Sequence, residues 1–170
     1  MSHKIYIGID NGVTGTIAWM GEGVNTDMIE TPVKSEQSYT KEKKNITRID
    51  YPEVVKWLKA VIYQLDSPSE ALVVIERPMI NPMRFQASIS AARSLEATLI
   101  AIESLGIPRM YVDSRQWQKD LLPHGCKGLE LKRASADIGC RLFPDRESII
   151  GKHKDADALL IAEWARREGL

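Results

Sequence analysis

At 170 residues, 44% hydrophobic and 27% charged, the chain is long enough for one sizeable core and has the composition of an ordinary soluble globular domain. Lysine plus arginine balance aspartate plus glutamate at 23 each, so the formal net charge is zero, which argues against a strongly cationic nucleic-acid coat but leaves room for a local basic face. No apolar run is long enough to span a membrane, the start Met1-Ser2-His3-Lys4 lacks a signal-peptide layout, and Cys126 and Cys140 form no CxxC, which argues against a disulfide framework or a zinc site. A single domain over residues 1–170, in a reducing cytoplasm, is the expectation.

Ile5, Ile7 and Ile9 alternate with Tyr6 and Gly8, which predicts a half-buried strand running into Asp10-Asn11-Gly12. A second apolar run, 16–20, follows at once, so a hairpin opens the sheet with a carboxylate at the end of its first strand. By itself Asp10-Asn11-Gly12 reads equally well as a plain turn. Residues 24–31 suggest a third, less regular strand. Residues 32–47 turn polar and, with Arg48, gather Lys34, Lys41, Lys43 and Lys44, which predicts a mobile basic loop.

Asp50 and Pro52 mark a helix start, and Val54, Val55, Leu58, Val61, Ile62 and Leu65 carry it to about Asp66. Ala71 to Ile75 is a continuous, largely β-branched apolar run, the pattern of a strand covered on both faces. It ends in Glu76-Arg77-Pro78. A carboxylate continuing five apolar residues is costly to bury unless it is paired or metal-bound. From Arg84 to Leu105 the chain predicts a helix apolar around much of its circumference, with one side for the sheet and another for a partner subunit. Phe85 at its start is expected to pack in the core. Residues 110–112 read as a short strand, 123–128 as a loop, and 129–142 as a helix bearing Lys132, Arg133 and Arg141. Residues 144–154 read as a polar, basic connection. Asp155-Ala156-Asp157 then opens a final, very apolar helix, with Asp155 expected as its N-cap. Capping explains Asp157 less well, since alanines flank it.

Asp10, Glu76 and Asp157 thus each end or begin an otherwise apolar element, and the three could converge on one acidic cluster. Clustered carboxylates repel, a cation relieves the repulsion, and an all-oxygen set suits Mg²⁺ or Mn²⁺.

The ordered set Ile7-Gly8-Ile9-Asp10-Asn11-Gly12, Val74-Ile75-Glu76-Arg77-Pro78, Val112-Asp113-Ser114-Arg115-Gln116-Trp117 and Ala156-Asp157-Ala158-Leu159-Leu160-Ile161-Ala162 resembles the RuvC family of Holliday junction resolvases, in its bacterial and phage forms. The resemblance implies an α/β, ribonuclease H-like fold with a mixed five-stranded sheet flanked by helices. It also implies a homodimeric crossover junction endodeoxyribonuclease that hydrolyses phosphodiesters of four-way or branched DNA, with two Mg²⁺ or Mn²⁺ ions per active site, in a bacterial cell or a phage-infected host. Asp10, Glu76 and Asp157 match the family's metal-binding acids. The family's fourth acid lies a turn before the last one, where this chain has His153 and Lys154. Either Asp155 serves as the fourth catalytic and metal ligand, or His153 takes a metal or proton-transfer role. Lys41, Lys43, Lys44, Lys132, Arg133, Lys152 and Lys154 are the candidates for holding DNA phosphates, and Phe85 is the aromatic placed to stack at an opened junction.

Other readings use the same residues. Asp10 to Gly15 also looks like the first phosphate loop of an actin- or sugar-kinase-like ATP-binding protein, although such proteins need two similar halves and the chain shows one such stretch. A domain that binds branched DNA without cutting it, or a ribonuclease H-like nuclease acting on another substrate such as an RNA–DNA hybrid, would share the acids.

Overall fold

In a computed structural model that describes residues 3–39 and 41–170, the first strand, β1 (Ile5–Ile9), is buried at all five positions, where alternation alone predicts one covered face. Met1 and Ser2 of the expected leaderless start, and Thr40 of the expected basic loop, lie outside the described residues. β1 is covered twice because it is the middle strand of a five-stranded sheet. β2 (Thr16–Gly21) pairs antiparallel with β1, and β3 (Val24–Glu30) antiparallel with β2. On its other side β1 pairs in parallel with β6 (Ala71–Glu76), and β6 in parallel with β7 (Arg109–Val112), giving the order β3-β2-β1-β6-β7.

Helices cover both faces. α1 (Tyr51–Ile62) and α2 (Phe85–Ser104) lie over Ile5, Ile7, Ile9, Val73 and Ile75. α6 (Asp157–Glu168) lies over Tyr6, Ala18, Leu72 and Val74, with α3 (Ser114–Leu121) and α4 (Leu129–Leu142) around it. α6 reads apolar nearly all round because it is the central helix of its layer: Ala158 through Ala165 are all buried.

Elsewhere, too, the elements can be set against the expectations. The segment expected as a basic loop forms a hairpin of β4 (Val33–Gln37) and β5 (Asn45–Ile49), a separate two-stranded sheet. Ile49 is its one core residue, buried with Val54 and Leu58 of α1; on the opposite face Glu36 joins Lys34 at 2.7 Å and the cross-strand Arg48 at 2.6 Å. The expected connection before the last helix contains α5 (Glu147–His153), a short helix that buries only Ile150. α2 is fully buried on one side only, at Ser94, Thr98, Ala101 and Ile102, and Ile100 remains exposed. Phe85 is 64% exposed rather than core, in a stretch where Met79, Ile80 and Met83 are exposed too. The Pro-flanked connection carrying that stretch holds these side chains off the sheet.

Candidate metal centre

The two-residue period of a strand decides where the first acids point. Tyr6 and Gly8 face the α6 layer, and Asp10 continues that alternation; its N–H donates to Thr16 O at 3.1 Å, extending the ladder one residue past β1. On β6 the same side carries Leu72, Val74 and then Glu76. Since Ile9 pairs with Ile75 in parallel register, Asp10 and Glu76 emerge side by side from neighbouring strands.

α6 delivers the third acid, and Gly8 makes that approach possible. A Cβ on Gly8 would stand 2.1 Å from Ala158 O and 2.7 Å from Ala162 N, so only glycine lets the helix lie this close on β1. Asp157, the residue before Ala158, is thereby carried over the strand ends. Asp155 arrives by a different device. Lys154 closes α5 in the left-handed region at φ 66°, and the chain turns inward behind it. The N-cap of α6 is Ala156, not Asp155 as expected; Asp155 precedes the helix and is buried.

One carboxylate oxygen from each of Asp10, Asp155 and Asp157 lies within 4.8 Å of the other two. Glu76 stands beside this trio, close enough to interact electrostatically with all three, and shares with Asp10 the lining of a cleft of about 280 Å³ that also touches Asn11, Arg77, Asn81 and Arg84. His153 sits apart, with Nε2 3.5 Å from Glu30; among the described residues it is not in the clustered group.

The electrostatics follow from burying like charges together. Burial, reinforced by Asp157, Glu76 and Asp155, pushes the Asp10 carboxyl up to about 7. Burial raises Glu76 to about 7 against the pull of a 2.8 Å hydrogen bond from Trp117 Nε1. Burial likewise raises Asp157 to about 6, opposed by a hydrogen bond from Ser135. With nothing between them, such carboxyls hold protons near neutrality; a hard divalent cation would replace those protons. Oxygen donors alone, half-buried to buried and converging, fit Mg²⁺ or Mn²⁺ better than a thiophilic metal.

The expected phosphate-holding cations are scattered. Lys41, Lys43 and Lys44 are exposed in the segment joining β4 to β5, Lys44 paired with Glu42. Lys152 pairs with Glu30 at 3.1 Å, and Lys132 reaches Asp155 Oδ2 at 3.5 Å. Lys154 and Arg133 are exposed. Two supporting residues escape the sequence reading. Ser135 gives no signal, being one polar residue in a mixed helix. Trp117 lies within a stretch that carries the family resemblance, but nothing in the sequence points its indole at Glu76.

No family model matches the chain, and no curated protein matches it. Solved structures do. Thermus thermophilus RuvC in complex with a Holliday junction substrate is similar at a TM-score of 0.62 and 18% identity, over 98% of this chain and 97% of that one. The fold is RuvC-like. A second Thermus thermophilus RuvC structure is similar at a TM-score of 0.53 and 20% identity, over 97% of this chain and 96% of that one. The ribonuclease H-like architecture expected from the motifs is thus the architecture present; Asp10 and Glu76 occupy the carboxyl ends of two of its central strands, and Asp155 and Asp157 come to them from the start of α6.

Proposed function

We propose that this chain is a metal-dependent endonuclease that resolves four-way or branched DNA junctions by phosphodiester hydrolysis. The observation that carries the reading is the gathering of Asp10, Asp155 and Asp157, with Glu76 beside them, at the strand ends of a fold whose solved counterpart holds a Holliday junction. Asp10, Glu76, Asp155 and Asp157 would hold Mg²⁺ or Mn²⁺, two ions per site. So bound, the ions supply an activated water and charge stabilisation for the leaving oxygen. The chain's own part is to keep four carboxylates converged and largely out of bulk water. His153, turned to Glu30, serves as neither ligand nor proton carrier in this reading.

Lys41, Lys43, Lys44, Arg133, Lys152 and Lys154 would meet phosphates around the cleft, and Lys132 would do so once released from Asp155. Phe85, exposed at the start of α2, is available to stack on an unpaired base. The two layers share one sheet, which supports reading residues 1–170 as a single nuclease domain. The exposed flank of α2, including Ile100, supports a homodimer whose two sites face the two strands of one junction. It would act in the cytoplasm of a bacterial cell or a phage-infected host; among the described residues no helix is long and apolar enough to cross a membrane.

The test is cleavage of four-way junction, flap, linear duplex and RNA–DNA hybrid substrates with Mg²⁺. Junction cleavage that exceeds all others, and that Asp10→Asn abolishes while junction binding persists, is the expected result. Equal cutting of duplex, or preference for hybrid, would overturn the junction assignment. Stabilisation by ATP but not by Mn²⁺ plus junction in a thermal melt would overturn the nuclease assignment.

A further inference from the structure

The connection that carries Asp155 and Asp157 has little of its own to hold it. Lys154 is in the left-handed region, and the N-cap Ala156 has no side chain with which to cap α6. The hold comes from one face of α4. Ser135, 1% exposed, donates its hydroxyl to Asp157 Oδ1 at 2.5 Å and accepts the N–H of Ala156 at 3.0 Å. One turn earlier on α4, Lys132 reaches Asp155. One turn later, Gly139 lets the helix close on Ala156, since a Cβ there would meet Ala156 Cβ at 2.3 Å. Three successive turns of one helix thus grip three successive residues of the acid-bearing connection.

We propose that Ser135 is a positioning residue for the acidic centre, its hydroxyl tying the backbone between the two aspartates to the carboxylate of the second. The inference rests on the cation-binding reading above. A serine hydroxyl has one hydrogen to give and lone pairs to receive, so the same oxygen can serve both partners at once. Donation to Oδ1 commits that carboxylate's orientation and leaves Oδ2 for a cation. Reception from Ala156 N–H anchors the peptide that sets the spacing of Asp155 from Asp157. Without the hydroxyl, Asp157 loses its orienting donor and a buried N–H loses its acceptor. Partners of this kind, behind a metal ligand, typically change metal affinity by about 10–100-fold when removed.

The experiment is a Mn²⁺ titration of the full chain, read by the loss of the free-ion signal in electron paramagnetic resonance, well below the melting temperature and without DNA. Ser135→Ala should bind Mn²⁺ about tenfold more weakly than the parent. Ser135→Cys, similar in volume but a poor hydrogen-bond donor, should do the same. Ser94→Ala removes an equally buried hydroxyl on α2, away from the acids, and should leave the affinity unchanged. In an Asp157→Asn background, Ser135→Ala should cost less than it does in the parent, because the part of its effect that passes through that carboxylate is already gone and only the anchoring of Ala156 N–H remains to lose. Parent-like affinity in either folded Ser135 variant would overturn the positioning role. A parent that binds no Mn²⁺ would instead overturn the cation reading, and this inference with it.

Discussion

At Asp10 two demands conflict: the half-buried carboxyl stands beside three other acids, and the cation-binding role proposed above would require it ionised. Asp10 and Glu76 rest at about 7 and Asp157 at about 6, above their ordinary values. A carboxyl with a raised folded value binds its proton more tightly in the folded chain than in the unfolded one. The stability it contributes is present below about pH 4 and is lost as pH rises through 6 to 7. In EDTA, the parent's Tm should therefore fall between about pH 5 and 8 by more than that of Asp10→Asn, and Mn²⁺ should raise it again at the upper end. Parallel curves for the two proteins would contradict the cluster's repulsion. The fourth ligand gives a second expectation. Since Asp155 joins the trio and His153 faces Glu30, Asp155→Ala should reduce cleavage in Mg²⁺ far more than His153→Ala. The reverse order, most visible in Mn²⁺, would return the role to the histidine. Trp117→Phe keeps an aromatic side chain but drops the donor to Glu76 and part of the fully buried indole's volume. Cleavage should fall about tenfold, with a stability loss of about 2–3 kcal/mol in urea unfolding from the lost hydrogen bond and the cavity together. Asp10, Glu76 and Asp157 are legible in the sequence because each is a charge at the edge of an apolar run; Asp155, between Lys154 and Ala156, reads as a cap and enters only through the family resemblance, as the alternative to His153. Trp117 and Ser135 are not legible, because an indole or a hydroxyl in such company needs no explanation until its partner is seen.

Among the elements, what is legible depends on whether an apolar pattern holds the element in place. β1, β6 and α6 announce themselves because they are the middle of the molecule. The β4–β5 hairpin does not, since Ile49 alone of its residues enters the core and the rest, with Lys34, Glu36 and Arg48 paired at the surface, read like a loop. α5 buries one residue and has no periodic stripe to find. The contact between β1 and α6 carries the element-scale prediction. Gly8→Ala drives a methyl into the backbone of α6 at Ala158 and Ala162, so either the helix lifts or the strand bends. A destabilisation of about 3 kcal/mol is expected by urea unfolding. Cleavage should be lost even where the variant is fully folded, because Asp157 rides on the displaced helix. A Gly8→Ala variant with parent-like activity would mean that the close approach does not set the site.

For the molecule as a whole, the junction-resolving function proposed above would set one acidic centre against a substrate with two equivalent strands to cut. The proposed homodimer would answer that, and α2 offers exposed Ile100 and Phe85 for its interface. Sedimentation at micromolar concentration should give twice the 19.1 kDa of the chain. Ile100→Glu should halve the mass and leave Mn²⁺ binding intact. A parent that sediments as a monomer would contradict the pairing of sites.

The order of the strands also sets a timetable. β1, which leads to Asp10, stands next to β6, which comes more than sixty residues later, and the layer is closed only by α6, later still. No local segment contains two members of the cluster other than Asp155 and Asp157. A chain emerging from the ribosome thus carries no assembled acidic centre until α6 has cleared the exit tunnel and docked on β1. The long-range parallel pairing of β1 with β6 is of the kind that forms slowly. A chain that has β1 and β6 but not yet α6 holds Asp10 and Glu76 without Asp155 and Asp157.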